Sequence, residues 1–366
     1  MEIIFENCEF QQTAAVSEVK ALEIVALASN VTFIDCTFNL ISTIELALEN
    51  GNLEMTGCSI TDFATTSNNW LQFGTTSNTS ITIDGLSLPM LEVEGGTYEF
   101  FGGSILDTGG AYDCRFNLTN WNLYDVSMAT GNANSFVRAI DGGPNTWFVS
   151  NSQFGRTYGQ MIFNFEDNGE YYIDNIVIED AVTEGPLINK YDSTGEVDSQ
   201  MNISNSQFLR SGGAGMGISF YSVTSSLSNI SITDCVFDLV SHRALDIYGS
   251  NLDVFVDNNA FLNIHGELGR VFSMVAMEDS KCVFSNNMVN GSEYLADVAA
   301  PTKKRDTGDD TVFESYCKRM TFSHNEVTNV TIGDFGDTFF VAQQFDSFEV
   351  SDNNFHDIND VFTGFV

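Results

Sequence analysis

The chain has 366 residues, and its 50 acidic residues against 14 lysines and arginines give a formal charge of −36. Such a surface repels nucleic acids, heparin-like and uronate polymers and anionic lipid, so the composition predicts none of these as partners. No apolar run reaches the roughly 18 residues that a membrane-spanning helix needs, so we expect no transmembrane segment.

A six-residue phrase recurs along the chain: an apolar residue, a polar residue, Asn, Asp or Gly, a small residue, any residue, and a second apolar residue. Its first copy is Phe5–Phe10 and its last is Val350–Phe355. The intervening copies begin at Phe33, Met55, Ile83, Phe100, Leu118, Val149, Ile173, Ile203, Ile232, Val256, Phe284 and Phe322. Most steps are about 22 to 31 residues, which is typical of a repeat architecture. The steps into and out of Phe100 are shorter, so that copy is either a short coil or part of a long loop inside one turn.

The third position of the phrase predicts a left-handed bend once per repeat, because it holds residue types that tolerate positive φ. The Asn and Asp members of this bend ladder are Asn7, Asp35, Asn120, Asn151, Asn175, Asn205, Asp234, Asn258, Asn286 and Asp352. The remaining copies place Gly57, Gly85, Gly102 and His324 there.

A second phrase precedes many copies, first as Ala21–Ile24 and last as Phe339–Ala342. Each repeat therefore carries at least two short strands and must stack on its neighbours to bury an apolar face. The outward stripe that we predict for the second phrase is Glu23, Glu45, Gln72, Arg138, Phe163, Asn189, Ser219, Asp246, Ser273 and Val341.

On these repeats, bends and Phe/Ile stacks, the chain resembles the right-handed parallel β-helix family, the pectin-lyase-like solenoids. The resemblance implies an all-β fold: one domain over residues 1–366, a single right-handed parallel β-helix of about 13–14 coils. That family includes polysaccharide lyases, hydrolases, adhesins and phage spikes, so the resemblance implies a fold and leaves the activity open. The phrases Phe284–Asn287 and Phe322–Asn325, with three Gly-Gly-small phrases, are also similar to polymorphic outer-membrane adhesin repeats.

The step from Phe284 to Phe322 contains a polar insertion at residues 290–316. It carries Lys303, Lys304 and Arg305, the only basic run in the chain. This run is a processing site, a docking element for an acidic neighbour, or part of a mobile loop.

The cysteines allow two arrangements. Cys8, Cys36 and Cys58 share the fourth position of the phrase, and successive coils lie about 4.8 Å apart, within reach of a disulfide. The alternative is a column of free buried thiols. Cys282 and Cys317 flank the insertion and could join its base. Seven cysteines is an odd number, so at least one stays free or pairs outside the chain.

Asn-x-Ser/Thr sequons are candidate N-glycosylation sites if they lie on outward turns of a secreted protein. They occur at Asn30, Asn78, Asn117, Asn202, Asn229, Asn290 and Asn329.

Two clusters are candidate catalytic sites. Glu23 and Glu45 on adjacent coils would lie about 5–6 Å apart, as a glycosidase pair or a Ca²⁺ site requires, or they are two solvated carboxylates. His242, Arg243 and Asp246 could supply a lyase-like base and charge stabiliser, or simply a surface ion pair beside a turn. The sequence predicts no resident metal and no cofactor other than this Ca²⁺ option. Catalytic phrases of polygalacturonases and mannuronan epimerases are missing.

We therefore interpret the chain as a non-catalytic extracellular or cell-surface β-solenoid with a structural or adhesive role. It would be a segment or subunit of a surface filament, appendage or spike. The repeat begins by residue 5 without visible caps or a signal peptide, so we expect self-association or contact with other chains, with end-to-end stacking as one option. The alternative is a polysaccharide lyase, a glycoside hydrolase or a glycan-binding module that uses the outward stripe.

Overall fold

The computed structural model describes residues 1–11, 20–39, 43–62, 69–88, 98–100, 103–128, 135–140, 143–166, 169–192, 198–213, 217–222, 227–241, 243–266, 272–277, 279–291, 293–294, 311–331, 338–343 and 345–359. Within these residues the regular elements are all strands, and they pair in parallel from one coil to the next. The chain is an all-β solenoid, as the sequence predicts.

The strands that precede the predicted bend form one continuous ladder, which we call the pre-bend ladder. It contains Glu2–Glu6, Asn30–Ile34, Asn52–Thr56, Ser80–Asp84, Arg115–Thr119, Asn145–Gly155, Gly169–Glu179, Ser199–Ser204, Ser228–Thr233, Leu252–Asp257, Lys281–Ser285, Arg319–Ser323 and Ser347–Ser351. These thirteen strands define coils 1 to 13 of the described chain.

The strands after the bend form the post-bend ladder, into which the long strands of coils 6 and 7 continue. Its other members are Glu9–Gln11, Thr37–Asn39, Ser59–Asp62, Asn122–Tyr124, Gln207–Leu209, Val236–Asp238, Ala260–Leu262, His265–Gly266, Met288–Asn290, Glu293–Tyr294, Glu326–Thr331 and Asn354–Asn359. A small sheet lies beside it, with strands Tyr98–Phe100, Val126–Met128, Tyr158–Gly159, Val182–Thr183 and Gly212–Gly213.

The second phrase forms a third set of strands, the second-phrase ladder. Its members are Leu22–Leu27, Ile44–Glu49, Leu71–Phe73, Thr76–Ser77, Leu106–Asp107, Ala111–Tyr112, Ser135–Ala139, Met161–Phe165, Ile188–Asp192, Ile218–Ser222, Leu245–Ser250, Phe272–Met277, Thr311–Tyr316 and Thr338–Gln343. Each coil thus runs from the second-phrase ladder to the pre-bend ladder and then through the bend.

The apolar positions of the phrase stack in register inside the solenoid. Phe5 pairs with Phe33, and the same column continues coil by coil to Val350. The sixth position forms a parallel column in the post-bend ladder, where Phe208, Phe237 and Phe261 stack with centroids 4.7 and 5.0 Å apart. Because each coil covers the apolar face of its neighbour, the members of both columns between the terminal coils are almost fully buried.

The copy at Phe100 is the exception to this register. Its strand joins the small sheet, where Phe100 pairs with Met128 instead of a pre-bend residue. Ile83 pairs directly with Leu118, so the segment between them belongs to one long turn. Of the two interpretations of the Phe100 copy, the long turn is therefore correct, and this copy does not form a coil of its own.

The third-position residues have the backbone that the repeat requires. The ten Asn and Asp members of the bend ladder have φ between 49° and 58°, and His324 has φ 56°. Their amides also join coils: Asn175 Nδ2 donates to Asn151 Oδ1 at 2.8 Å. The short polar side chain thus fits the αL backbone and adds a hydrogen bond along the solenoid. Gly102 lies outside the described residues.

An interior asparagine ladder occupies the fourth position in the last coils, and sequence reasoning did not identify it. Asn259, Asn287, Asn325 and Asn353 lie on successive coils, the first three of them fully buried. Asn287 Nδ2 donates to Val256 O at 3.0 Å, and Asn287 Oδ1 accepts from Asn259 N at 2.9 Å. Both of these bonds go to the preceding coil, and Asn287 Nδ2 also donates to Asn325 Oδ1 on the following coil at 3.2 Å. The buried Asn287 amide thus has partners on both sides, as buried polar groups require.

Cys282 and Cys317 form a disulfide across the insertion. By contrast, Cys8, Cys36 and Cys58 are free thiols, so the disulfides considered among them are wrong. The buried Cys36 thiol instead donates to Phe5 O at 3.4 Å. Burial raises the pKa of the Cys58 thiol to about 11. Within the insertion, Lys303, Lys304 and Arg305 lie outside the described residues.

Candidate functional site

The predicted stripe of the second-phrase ladder pairs in register from coil to coil, with three corrections. Glu314 pairs with both Ser273 and Val341, and sequence reasoning missed it. Asn164, not Phe163, pairs with Arg138 and Asn189, so Phe163 is a buried core residue. Asp107 lies between Gln72 and Arg138 and was missed. The strand that contains Asp107, Leu106–Asp107, has only two residues. The alignment of Phe100 as a separate copy of the phrase also obscured the coil to which this strand belongs.

The Lys20 side chain bridges Glu23 and Glu45. Lys20 Nζ lies 2.8 Å from Glu23 Oε1 and 2.8 Å from Glu45 Oε1. Hydrogen bonds to the two carboxylates raise the pKa of Lys20, so the ammonium stays charged. Lys20 takes the place that a catalytic water or a Ca²⁺ ion would need between the carboxylates.

The second predicted cluster is also an ion pair in its described part. Arg243 Nη1 lies 2.8 Å from Asp246 Oδ1, three residues away. His242 lies outside the described residues, so the proposed base cannot be placed beside them. Arg243 and Asp246 therefore form the surface ion pair that was the simpler alternative.

A more buried cluster surrounds Asp107, whose side chain is 8% exposed. Its Oδ2 accepts from Asn69 Nδ2 at 2.7 Å and from Arg138 Nη1 at 3.1 Å, and its Oδ1 accepts from Gly109 N at 2.9 Å. Arg138 Nε is buried and has no hydrogen-bond partner in the part of the chain that the structure describes. This cluster joins three coils.

Beside the stripe, three tyrosines form an outward ladder that sequence reasoning missed. Tyr191 and Tyr221 stack with centroids 4.9 Å apart, and Tyr221 and Tyr248 do the same. Each tyrosine lies two residues after a stripe residue and therefore on the same face. The signal was available: the three second-phrase strands that contain Asn189, Ser219 and Asp246 all place Tyr at this position.

A charged ladder follows a second set of left-handed bends at the end of the post-bend strands. Asp125, Arg156, Asp180 and Arg210 lie there on successive coils, with φ between 47° and 60°. Arg210 Nε donates to Asp180 Oδ1 and Arg210 Nη2 donates to Glu179 Oε2, each at 2.8 Å. Sequence reasoning missed this set because arginines alternate with the aspartates, and arginine does not mark an αL position.

The sequon asparagines lie on the pre-bend ladder, on a left-handed bend, and in a hydrogen-bonded pair on adjacent coils. Asn30, Asn117, Asn202 and Asn229 occupy outward positions of the pre-bend ladder, and Asn78 lies on a bend with φ 47°. Asn329 and Asn290 lie on adjacent coils, and Asn329 Nδ2 donates to Asn290 Oδ1 at 2.8 Å. Glycosylation at any of these asparagines remains a prediction.

Within the described residues, no group of three or more His, Cys, Asp or Glu side chains is placed to hold a metal ion. The same residues include no helix long and apolar enough to cross a membrane.

Comparison with known proteins returns no matching family model and no matching curated protein. Among solved structures, the chain is similar to the family 28 exopolygalacturonase of Yersinia enterocolitica, with 9% identity, a TM-score of 0.27, and coverage of 88% of this chain and 48% of that chain. It is also similar to the A-module of the mannuronan C-5 epimerase AlgE4 of Azotobacter vinelandii, with 10% identity, a TM-score of 0.24, and coverage of 92% and 91%. Likeness at this level carries no argument about activity, and the solenoid fold rests on the chain's own strand pairing.

Proposed function

We propose that this chain is a non-catalytic, extracellular structural or adhesive β-solenoid, a segment or subunit of a larger surface filament, appendage or spike. The observation that carries the proposal is that the outward carboxylates are ion-paired. Glu23, Glu45 and Asp246, the predicted catalytic acids, each contact a lysine or arginine at 2.8 Å. A general acid or nucleophile needs an available carboxyl group, whereas these groups hold neighbouring residues together.

Stiffness supports the structural role. The solenoid is joined coil to coil by backbone pairing, stacked aromatic rings, bend amides and the interior asparagine ladder. Each described coil is therefore held by its neighbours, as stacking repeats require.

The tyrosine ladder supports the adhesive role. Tyr191, Tyr221 and Tyr248 present ring edges and hydroxyl groups in a row on the outward face, beside Ser219 and Asp246. Tyrosine combines apolar area with a hydrogen-bonding group at low entropic cost, which makes it frequent in recognition surfaces. A neutral glycan or a protein surface would suit this row.

Self-association through the terminal coils is part of the proposal. The inward stacks are almost fully buried in the middle of the solenoid, yet Val350 is 41% and Phe355 37% exposed in coil 13. In coil 1, Phe5 and Phe10 are only partly buried. An apolar stack of this kind is covered when another β-strand layer, for example from a second copy, stacks on it.

The second candidate is a carbohydrate-active enzyme or glycan-binding module on the second-phrase ladder. The buried Asp107–Arg138 cluster favours it, because an arginine Nε without a partner is unusual and could bind a ligand oxygen. Asp107, however, is already bonded to Asn69, Arg138 and Gly109 N, which suits a structural carboxylate.

Incubation of the purified chain with a panel of neutral and acidic polysaccharides tests the proposal. We expect no new reducing ends and no unsaturated products over background. Turnover that disappears in Glu45→Gln, Asp107→Asn or Asp246→Asn, while Asp253→Asn retains it, would overturn the non-catalytic role.

A further inference from the structure

A polar groove of about 600 Å³ lies at the corner between the second-phrase and pre-bend ladders. Its walls come from five coils: they begin at Asn78 before the strand of coil 4 and end at Asp198 before the strand of coil 8. Four coil spacings span about 19 Å. The groove is therefore long and narrow, and its length runs along the solenoid.

Polar residues form most of the lining. It includes the carboxylates of Asp113, Glu170 and Asp198, the guanidinium of Arg115 and the amide of Asn145. Pockets for apolar ligands are lined mainly by hydrophobic and aromatic side chains, which this one lacks.

Two lining side chains are fixed by an aromatic pair on the adjacent strands. Phe148 and Tyr172 stack with centroids 4.9 Å apart, and the Arg115 guanidinium lies 4.3 Å from the Phe148 centroid. The Tyr172 hydroxyl donates to Glu170 Oε2 at 3.1 Å. The Arg115 guanidinium packs on the Phe148 ring, and the Glu170 carboxylate accepts from the Tyr172 hydroxyl. Arg115 and Glu170 thus lie two coils apart in one outward column.

The Asn145 side chain, at the floor of the groove, is also held in place. Asn145 is 2% exposed, and its Oδ1 accepts from Cys114 N at 2.9 Å while its Nδ2 donates to Ala111 O at 3.3 Å. Groups held in place before a ligand arrives lose little conformational entropy on binding.

The mixture of charges selects the class of ligand. Three carboxylates oppose an anionic ligand, and the Arg115 guanidinium in the same lining opposes a cationic one. Hydroxyl groups both donate and accept hydrogen bonds, so they can use the carboxylates, the exposed Asn78 amide and the guanidinium together. From this geometry we infer that the corner groove binds an extended, neutral oligosaccharide. The inference adds a ligand site to the structural role, and it stands or falls separately from that role.

Titration calorimetry with neutral hexasaccharides tests the inference, with cellohexaose, xylohexaose, maltohexaose and mannohexaose as probes, and trilysine and trigalacturonate as charged comparisons. We expect at least one neutral probe to bind, with a Kd at least tenfold weaker in Glu170→Ala and in Arg115→Ala. Asp253→Asn is the matched control, since Asp253 lies in the same outward column as Glu170 but three coils away. Its Kd should equal that of the wild type. Circular dichroism and thermal unfolding confirm that each variant is folded.

Three results would overturn the inference: no neutral probe binds, only a charged probe binds, or binding is unchanged in both groove variants. Binding that is lost in Tyr221→Ala but retained in Glu170→Ala would also overturn it, while supporting an adhesive tyrosine ladder. A polysaccharide-degrading activity would contradict the proposed function without deciding whether the groove binds a ligand.

Discussion

Arg156 lies one coil after Asp125, and its guanidinium donates two hydrogen bonds to that carboxylate, Nε to Oδ1 at 2.6 Å and Nη2 to Oδ2 at 2.9 Å. The same guanidinium lies 4.9 Å from the ring centroid of Tyr124. Contacts of this type recur along the solenoid, where charged side chains connect one coil to the next.

The Arg156–Asp125 pair predicts a pH dependence of stability. The hydrogen bonds from Arg156 lower the pKa of Asp125 in the folded chain. A lowered folded pKa contributes stability that is present above the ordinary Asp pKa of about 3.9 and is lost as the pH falls through the folded pKa. Asp125→Asn should therefore have a lower Tm than the wild type at pH 7, and the two values should converge below about pH 3. Asp253→Asn, which breaks no ion pair in the described chain, should show no such convergence; an equal Tm for Asp125→Asn and wild type at pH 7 would contradict the prediction.

Leu239 should be replaceable by glycine with a gain in stability. It has φ 56° and is 40% exposed, so an apolar side chain occupies a strained backbone position with little burial in return. Relief of an αL conformation is worth about 1 kcal/mol. Thermal unfolding of Leu239→Gly should show a higher Tm. Val182→Gly, at an exposed strand position without positive φ, should show a lower one. A decrease in both variants would mean that the bend backbone is not strained.

The interior asparagine ladder should be costly to interrupt. Asn287→Ala removes the partner of Asn259 N and of Val256 O, which lie inside the solenoid. Leaving such groups unpaired costs about 2–3 kcal/mol. Chemical denaturation should report this loss, while Thr321→Ala, on the outward side of the next coil, should change stability by less than about 0.5 kcal/mol. Equal effects in the two variants would contradict a role for the ladder.

Reduction of the Cys282–Cys317 disulfide should destabilise the chain. The bond closes a segment with a sequence separation of 35, and a loop of that size predicts a loss of about 3–4 kcal/mol. The Tm should fall when a reductant is added, and Cys282→Ala/Cys317→Ala should start from the lower value and not respond. Cys235→Ala, which removes a free buried thiol, should still respond to the reductant.

The repeat could be predicted because the bend restricts the residue type at one position of every coil. Asn175, for example, combines positive φ with a side chain that bonds to the preceding coil, and asparagine meets both requirements. The stack from Phe5 to Val350 followed directly from that alignment.

The other features were hidden for physical reasons. Leu239 and Arg156 occupy left-handed bends that neighbouring coils impose, so local preference does not reveal them. Asp107 lies on a two-residue strand, too short for an alternating pattern. The corner groove is assembled from residues that are far apart in sequence, such as Arg115 and Glu170, and only the coil register brings them into one column.

The most direct measurement is the Tm of Asp246→Asn relative to the wild type at pH 7. In the structural role, Asp246 holds Arg243 at 2.8 Å with both side chains largely covered, and loss of the charge should lower stability by about 1 kcal/mol. In a catalytic site, clustered acidic groups are kept at the expense of stability, so their neutralisation often raises the Tm. A lower Tm together with no polysaccharide turnover in the wild type is the expected result. A higher Tm, with wild-type turnover that the variant lacks, would contradict the structural role proposed for these carboxylates.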